Sequence, residues 1–446
     1  MEIVLIIIAA VIGRWLARIL KQPTVLGELV AGIIIGNIGF WFDMPIFTLI
    51  MELSNVEEIF RVICSSGISV AEGVRHVYSP TQLTDGEIGN QLLAILTGTH
   101  APRYIIMGFT LWLFSGLGII ILLFMVGLDT SIADMKNVGR QATMVALFGV
   151  AIPLILGIVI SYWILLESSI SFRLFLGATL SATSIGITAR LFKDLNQIQD
   201  KTVQIILGAA VIDDIIGLIL LAIVVAIATA GELDLLLILR ISILSIMFLG
   251  AVFFFGERLV RWTLVNRFDQ KNQKLLYSIC LAFTLSLVAN LIGLSSIVGA
   301  FAAGLILSES YFTKSSSDKA TIKDLIAPLE AVFTPIFFVL MGMQVNLTTF
   351  LMEDAIWLSL SITAVAILGK LLSGIFAGRQ NDRLSIGIGM VPRGEVGLIF
   401  AIIGKSLGVF SNTIFSAVVF MVIVTTLITP VLLKWSVNRN PSASIG

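Results

Sequence analysis

Gln204-IILGAAVIDDIIGLILLAIVVAIA-Thr229 carries no charge except at its middle, where two aspartates, Asp213 and Asp214, stand side by side. A helix rises about 1.5 Å per residue, so about 20 apolar residues cross a hydrocarbon core about 30 Å thick, and this run reads as a membrane span. An ionised carboxylate near a bilayer centre costs at least about 2.5 kcal/mol. Intramembrane acids therefore face a cavity, bind a partner, or carry ions and protons, and two adjacent ones demand a reason.

The rest of the chain fits that reading. It has 446 residues, 57% of them hydrophobic and 13% charged, more apolar surface than a soluble domain could bury. Apolar runs of this length recur from end to end, which favours membrane helices over the shorter, alternating strands of a barrel. Lysine plus arginine and aspartate plus glutamate number 28 each, so no charge excess points to nucleic acid. Cys64 and Cys280 imply no disulfide framework. His76 and His100, the only histidines, have no Cys or acid at ligand spacing, and nothing in the sequence calls for a metal cofactor or any other. The run from Glu2 to Leu20 has no basic segment before it and no small-residue cleavage site after it, so it reads as a retained span.

Length and apolarity predict about thirteen spans, at 2–20, 24–42, 104–127, 142–165, 172–191, 203–230, 235–255, 275–292, 295–311, 325–345, 355–376, 384–407 and 412–433. Lys and Arg gather after odd-numbered spans, for example Lys136, Arg140, Lys193, Lys201, Arg258, Lys323, Arg379 and Lys434. The positive-inside rule then places the N-terminus outside and the C-terminus in the cytoplasm. The long connection 43–103 falls outside. Ser54 to Glu57 and Thr84 to Glu87 both match a capping box, predicting two short helices lying over that face.

Leu123-FMVGLDTSI ends the third span and Phe338-VLMGMQVNL the tenth, aligning Gly127 with Gly342. An offset of seven helices turns the second copy upside down, the inverted repeat of many secondary transporters. The same offset pairs the fifth span with the twelfth, and both have broken sequence. Leu180-SATSIGITAR crowds Ser181, Thr183, Ser184, Gly186 and Thr188 into the bilayer middle, and Gly387-IGMVPRGEVGLIF places Pro392 and Gly394 beside Arg393 and Glu395. Interrupted helices expose carbonyls and amides that only a protein-lined cavity tolerates, and their ends present partial charges to ions. Singly, such glycines and serines also serve close helix packing. Matched breaks in both halves point to a transport site.

Depth links the charges. Asp213 and Asp214 lie about 4 Å to the cytoplasmic side of the middle, and Lys370, in Ile367-LGKLLSG, about 6 Å to the same side. An intramembrane lysine needs an anion, and one lies at its level. Neighbouring helical residues diverge by about 100°, so one aspartate can pair with Lys370 while the other faces the cavity. Such a carboxylate takes either a proton or a small monovalent cation, with oxygens such as those of Thr183 and Ser184 completing a hard-cation shell. Competition for one site is all that exchange requires. A buried Asp–Lys clasp with no transport role is the alternative, and it leaves one aspartate unexplained.

The chain resembles bacterial Na+/H+ antiporters of the second monovalent cation:proton antiporter family, the NapA-like branch, and more distantly NhaA. The resemblance covers nearly the whole length, through Pro23-TVLGELVAGIIIG, Leu123-FMVGLD, Ala182-TSIGITAR, Ala210-VIDDIIG, Val298-GAFAAGLILS, Pro335-IFFVLMGM, Gly369-KLLSG and Val391-PRGEVGL. It implies an all-α polytopic membrane protein with an inverted-repeat antiporter fold and two crossed, broken helices. It also implies Asp214 as the main ion-binding group, Asp213 paired with Lys370, and Thr183 with Ser184 helping to hold the cation. Pro392, Arg393 and Glu395 are accessory. The resemblance further implies exchange of Na+ (or Li+ or K+) for H+ in a bacterial cytoplasmic membrane. An elevator would move core helices within 142–230 and 355–433 against a dimerisation domain within 1–127 and 275–345, in a homodimer. The span at 235–255 links the two and 434–446 is a cytoplasmic tail.

Asn37 stands where the family usually continues Gly-Pro, Asn290 where an acid is common, and the 43–103 connection is longer than usual. Potassium efflux systems of the same superfamily usually have Gln-Asp and a large cytoplasmic domain, for which the residues after the last span leave no room. An intramembrane aspartyl protease needs its acids on two facing helices. A primary pump needs a phosphate-cradling G-x-x-x-x-G-K-[ST] loop, which the sequence lacks. A passive cation channel would conduct without proton coupling.

Overall fold

The computed structural model describes residues 2–20, 22–78, 83, 88–129, 139–164, 168–184, 201–230, 239–240, 243–244, 247–248, 250–256, 258–260, 271–292, 294, 296–307, 321–348 and 353–439. Among these the regular structure is helical, without strands. In order the helices are α1 (Glu2–Ile19), α2 (Thr24–Trp41), α3 (Pro45–Met51), α4 (Leu53–Ser66), α5 (Val70–Val77), α6 (Ile88–Thr97) and α7 (Ala101–Asp129). Then come α8 (Arg140–Ile164), α9 (Ile170–Ser181), α10 (Lys201–Ala230), α11 (Lys271–Leu291), α12 (Ser296–Ile306) and α13 (Ile322–Met343). The last are α14 (Glu353–Ser373), α15 (Arg383–Gly389), α16 (Glu395–Ser406) and α17 (Asn412–Arg439).

Eight of the described helices are long and apolar enough to cross a membrane. The expected spans at 172–191, 295–311 and 384–407 are represented by shorter pieces: α9, α12 and the pair α15 and α16. Nine of the 21 residues of the seventh expected span, 235–255, lie outside the described residues, as do Gly186 and Thr188.

The chain divides into two compact units. The first comprises Met1–Ile119, Ala331–Ile356 and Ile402–Ser416; the second comprises Ile120–Glu330, Trp357–Ala401 and Ala417–Gly446. In the first, Ile6, Ala9 and Ala10 of α1 pack with Ile50, Leu111 and the Ile336, Val339, Leu340 face of α13. Arg14 of α1 pairs with the buried Glu28 of α2. Asn37 is fully engaged: its amide donates to the Ile33 and Val345 carbonyls at 2.8 Å each, and its oxygen accepts from the Leu347 amide at 2.8 Å. Its departure from the expected Gly-Pro thus ties α2 to the end of α13.

Among its described residues the 43–103 connection holds four helices, α3 to α6, where two were expected, around a core of Leu49, Leu53, Val56, Ile59, Val74, Leu92 and Leu96. α4 begins at Leu53, so Ser54, expected to precede a helix as its cap, lies inside the first turn. The capping box that forms is Ser69 with Glu72, at the start of α5. The Ser69 hydroxyl accepts from the Glu72 amide and the Glu72 carboxylate accepts from the Ser69 amide, which holds that carboxyl below its usual range. Residues 84–87 lie outside the described residues.

The internal repeat is written in backbone contacts that only glycine permits. A Cβ on Gly32 would strike the Val339 carbonyl, and one on Gly342 the Leu29 carbonyl. In the second unit, a Cβ on Gly304 would strike the Phe124 carbonyl, and one on Gly127 the Phe301 carbonyl. Gly27 meets Gly13 as Gly299 meets Leu285. The α1–α2 pair and its α13 partner therefore recur as α11–α12 with α7, close approach for close approach.

Candidate functional site

Asp213 and Asp214 are set by the packing of α10. Ala209 and Ala210 beside them join Val203, Ile205 and Ile206 in a core with Ala142, Val145 and Ala146 of α8 and Ile386 and Ile388 of α15. Small residues on α10 bring its backbone close to its neighbours, as interfaces between membrane helices require. Asp213 is 2% exposed, Asp214 7% and Lys370 0%.

The Lys370 ammonium donates to Asp213 Oδ1 at 2.8 Å. Lys370 lies in the last turn of α14, against α8, where Gly369 packs on Pro153 and a Cβ on Gly149 would stand 3.4 Å from the Lys370 nitrogen. The two glycines leave room for the lysine to reach α10.

The break expected in the twelfth span separates α15 from α16, and α9 stops where the break in the fifth span was expected. Ser169 caps α9, its hydroxyl accepting from the Phe172 amide at 3.1 Å, and the helix stops at Ser181, where Ala182 turns to extended backbone (φ −59°, ψ 142°). The Asp382 carboxylate caps α15 through the Ser385 amide at 3.1 Å, and that helix stops at Gly389. Pro392 lacks an N–H and disfavours helical backbone at Val391, so the chain runs non-helically to Gly394 before α16 opens at Glu395. The Glu395 side chain lies outside the described residues. The two breaks meet: the Ser184 amide donates to the Pro392 carbonyl at 2.9 Å, and a Cβ on Gly394 would collide with the Ser184 side chain.

Arg393 fastens this crossing. It is buried at 0% exposure, and its guanidinium donates to the carbonyls of Leu180 at 2.7 Å, Ala366 at 3.0 Å and Met390 at 3.4 Å. Leu180 and Met390 stand at the C-terminal ends of the two half-helices, where unsatisfied carbonyls gather negative partial charge. One cation therefore serves both ends. Thr426 donates back to the Arg393 carbonyl at 2.8 Å, and the sequence reading missed this threonine because nothing in α17 marks it out from other span hydroxyls.

Thr183 and Ser184 are each 2% exposed in the non-helical segment. The Thr183 hydroxyl oxygen is buried with no hydrogen-bond partner among the described residues. A buried hydroxyl left without a bond costs about 1 to 3 kcal/mol, which a hard cation accepting its lone pair would offset. No group of three or more His, Cys, Asp or Glu able to hold a resident metal occurs among the described residues.

A helical polytopic bundle in which the end of one helix meets the break of another in a charged, buried region has the build of an ion-coupled membrane transporter. Residues 6–439 match the family described as sodium/hydrogen exchanger, transmembrane, and the chain belongs to that family. It is 34% identical over 440 residues to the high-affinity Na(+)/H(+) antiporter NhaS3 of Synechocystis sp., covering 96% of this chain and 88% of that one. It is 32% identical to a Na(+)/H(+) antiporter of Enterococcus hirae, over 79% of this chain and 91% of that one. The fold is shared with the sodium proton antiporter MjNhaP1 of Methanocaldococcus jannaschii, with a TM-score of 0.56 at 13% identity, covering 100% of this chain and 98% of that one.

Proposed function

We propose that this protein is a secondary antiporter exchanging Na+, and also Li+, for protons across a bacterial cytoplasmic membrane. The observation that carries the reading is the Lys370–Asp213 bond at 2.8 Å beside a second buried aspartate, Asp214, on the same helix. Asp214 takes a proton or the cation, never both, and the Thr183 and Ser184 oxygens help hold the cation. The names of its relatives in Synechocystis and Enterococcus support Na+ as the ion.

Exchange is electrogenic. When the cation draws Asp213 off Lys370, the lysine is left buried without its counter-charge and gives up a proton, which adds one proton carrier beyond the aspartate. Access alternates by an elevator in which helices within 142–230 and 355–433 move against those within 1–127 and 275–345, in a homodimer. The N-terminus lies outside and the C-terminus in the cytoplasm, by the placement of basic residues.

Purified protein in proteoliposomes, read with a pH dye against a panel of Na+, Li+ and K+, tests this. Wild type should move protons against Na+ and Li+, and Asp214→Asn should abolish the movement while remaining folded, because the amide keeps the volume but neither binds a proton nor neutralises a cation. Near-normal exchange in correctly inserted Asp214→Asn sinks the assignment; a response to K+ alone makes the protein a K+/H+ antiporter.

A further inference from the structure

The first unit holds an apolar groove between α4 and α7. Its volume is about 270 Å³, and its walls are Leu53, Val56 and Phe60 of α4 and Gly108, Phe109 and Trp112 of α7. Gly108 puts no side chain into the space, and the Phe109 and Trp112 rings stack beside it with their centres 5.6 Å apart. Arg61 and Cys64, one turn apart on α4, line the same groove. The Arg61 side chain is 53% exposed and Cys64 is exposed, so both stand where the groove opens.

α7 is long and apolar enough to cross a membrane, and its Phe109 and Trp112 are 60% and 41% exposed. They lie about 8 and 12 Å along the helix from Tyr104, where the apolar run begins, so this wall meets hydrocarbon rather than water. Water occupies cavities that offer it several polar partners, and a groove walled by leucine, valine and aromatic rings offers few. A lipid chain suits it. Aromatic side chains near the end of a span are also the surface that membrane proteins set against the region just inside the headgroups.

Chain contact alone selects no particular lipid, because a chain that enters the groove from the bilayer exchanges one apolar surrounding for another. Selection falls to the charge at the opening. Arg61 bonds there to Glu58, one turn back on α4, at 2.8 Å, with the two side chains 53% and 38% exposed. Water screens so open a pair and leaves it weak, whereas the planar guanidinium fits two oxygens of a phosphate at once. We propose that the groove is a phospholipid site, which takes one acyl chain of an anionic glycerophospholipid from the leaflet beside the 43–103 connection and sets its phosphate on Arg61 in place of Glu58. The site stands whether or not the antiport reading does.

The test is quenching of Trp112 fluorescence in phosphatidylcholine vesicles that carry a minor share of either phosphatidylglycerol or phosphatidylcholine with brominated acyl chains. The Trp112 signal is the difference between wild type and Trp112→Phe, and bromine quenches only near contact, so the signal reports which lipid sits in the groove. Brominated phosphatidylglycerol should be favoured about fivefold over brominated phosphatidylcholine, the preference that one arginine near the surface gives for anionic lipid. Arg61→Gln should remove the preference, Arg61→Lys should keep part of it, and Glu58→Gln should raise it by taking away the competing carboxylate. Should the Arg61 variants fail to insert, a bulky maleimide placed on Cys64 of the folded wild type carries the same test: it should block the groove and abolish the preference, while Cys64→Ser treated alike should keep it. Equal quenching by the two lipids, or a preference that both Arg61→Gln and the Cys64 label leave unchanged, overturns the proposal. Trp112 shielded from both lipids also overturns it and makes the groove a contact with a second copy of the chain.

Discussion

Lys370 and Lys405 are both buried lysines in the last turns of apolar helices, and the protein satisfies them in opposite ways. Lys370 places its ammonium directly on a carboxylate, and that Asp213 oxygen is its one hydrogen-bond partner among the described residues. Lys405 bonds to a carbonyl and an amide oxygen, while the nearby Glu52 is satisfied separately by three neutral donors. A direct pair is a switch, because removing one member strands the other at a cost of about 3 to 5 kcal/mol. Charges held by neutral partners are fixtures, since each keeps its bonds whatever the other does. Chemistry that needs a proton released belongs with the first kind, and architecture with the second.

Arg393 is a third buried cation and, by its bonds, a fixture. Among the described residues its guanidinium donates only to carbonyls, at the ends of α9 and α15 and on α14. Arg393→Gln should therefore produce the largest loss of stability in this region, about 3 kcal/mol, read as a fall in the thermal unfolding midpoint in detergent. Whatever exchange survives should still respond to membrane potential. A variant as stable as wild type that has lost its voltage response would move Arg393 into the same class as Lys370.

Thr183 should give a smaller and opposite pattern. Its hydroxyl has no bond to protein among the described residues, so Thr183→Val, which keeps the volume and removes the unsatisfied group, should leave stability at or above that of wild type. It should raise the apparent Km for Na+ several-fold while the maximal rate falls less, and Ser184→Ala should act in the same direction. Wild-type cation affinity in both would reduce the α9 break to a packing feature.

Much of this was legible in the sequence, for a physical reason. Charges inside apolar runs are expensive, so Asp213, Asp214 and Lys370 stood out by position alone, and depth arithmetic matched them. Pro392 and Gly394 announced the second break because proline removes a donor that a helix needs. The repeat showed in the Gly127 and Gly342 match, while its clearest form, glycines 32 and 304 against equivalent carbonyls, required the packing.

The contacts of Lys405 and Glu52 were not legible. Glu52 was one acid among several in the 43–103 connection, and its partner Asn412 lies 360 residues on, beyond any local pattern. Lys405 obeys the rule that exposed Lys370, but near a helix end a lysine ordinarily reaches the interface, which hides a buried one. Ser54, expected as a cap, lies inside the first turn of α4, which starts at Leu53.

In the antiport proposed above, the Asp213–Lys370 pair separates during transport and Lys370 then carries a proton. The direct measurement is the initial rate of Na+-driven proton movement in proteoliposomes whose membrane potential is clamped with K+ and valinomycin. Wild type should speed up at one sign of potential and slow at the other, and Lys370→Gln should either be inactive or exchange at a rate that no longer follows the clamp. A wild-type rate indifferent to the clamped potential contradicts the account and leaves Lys370 a structural partner of Asp213.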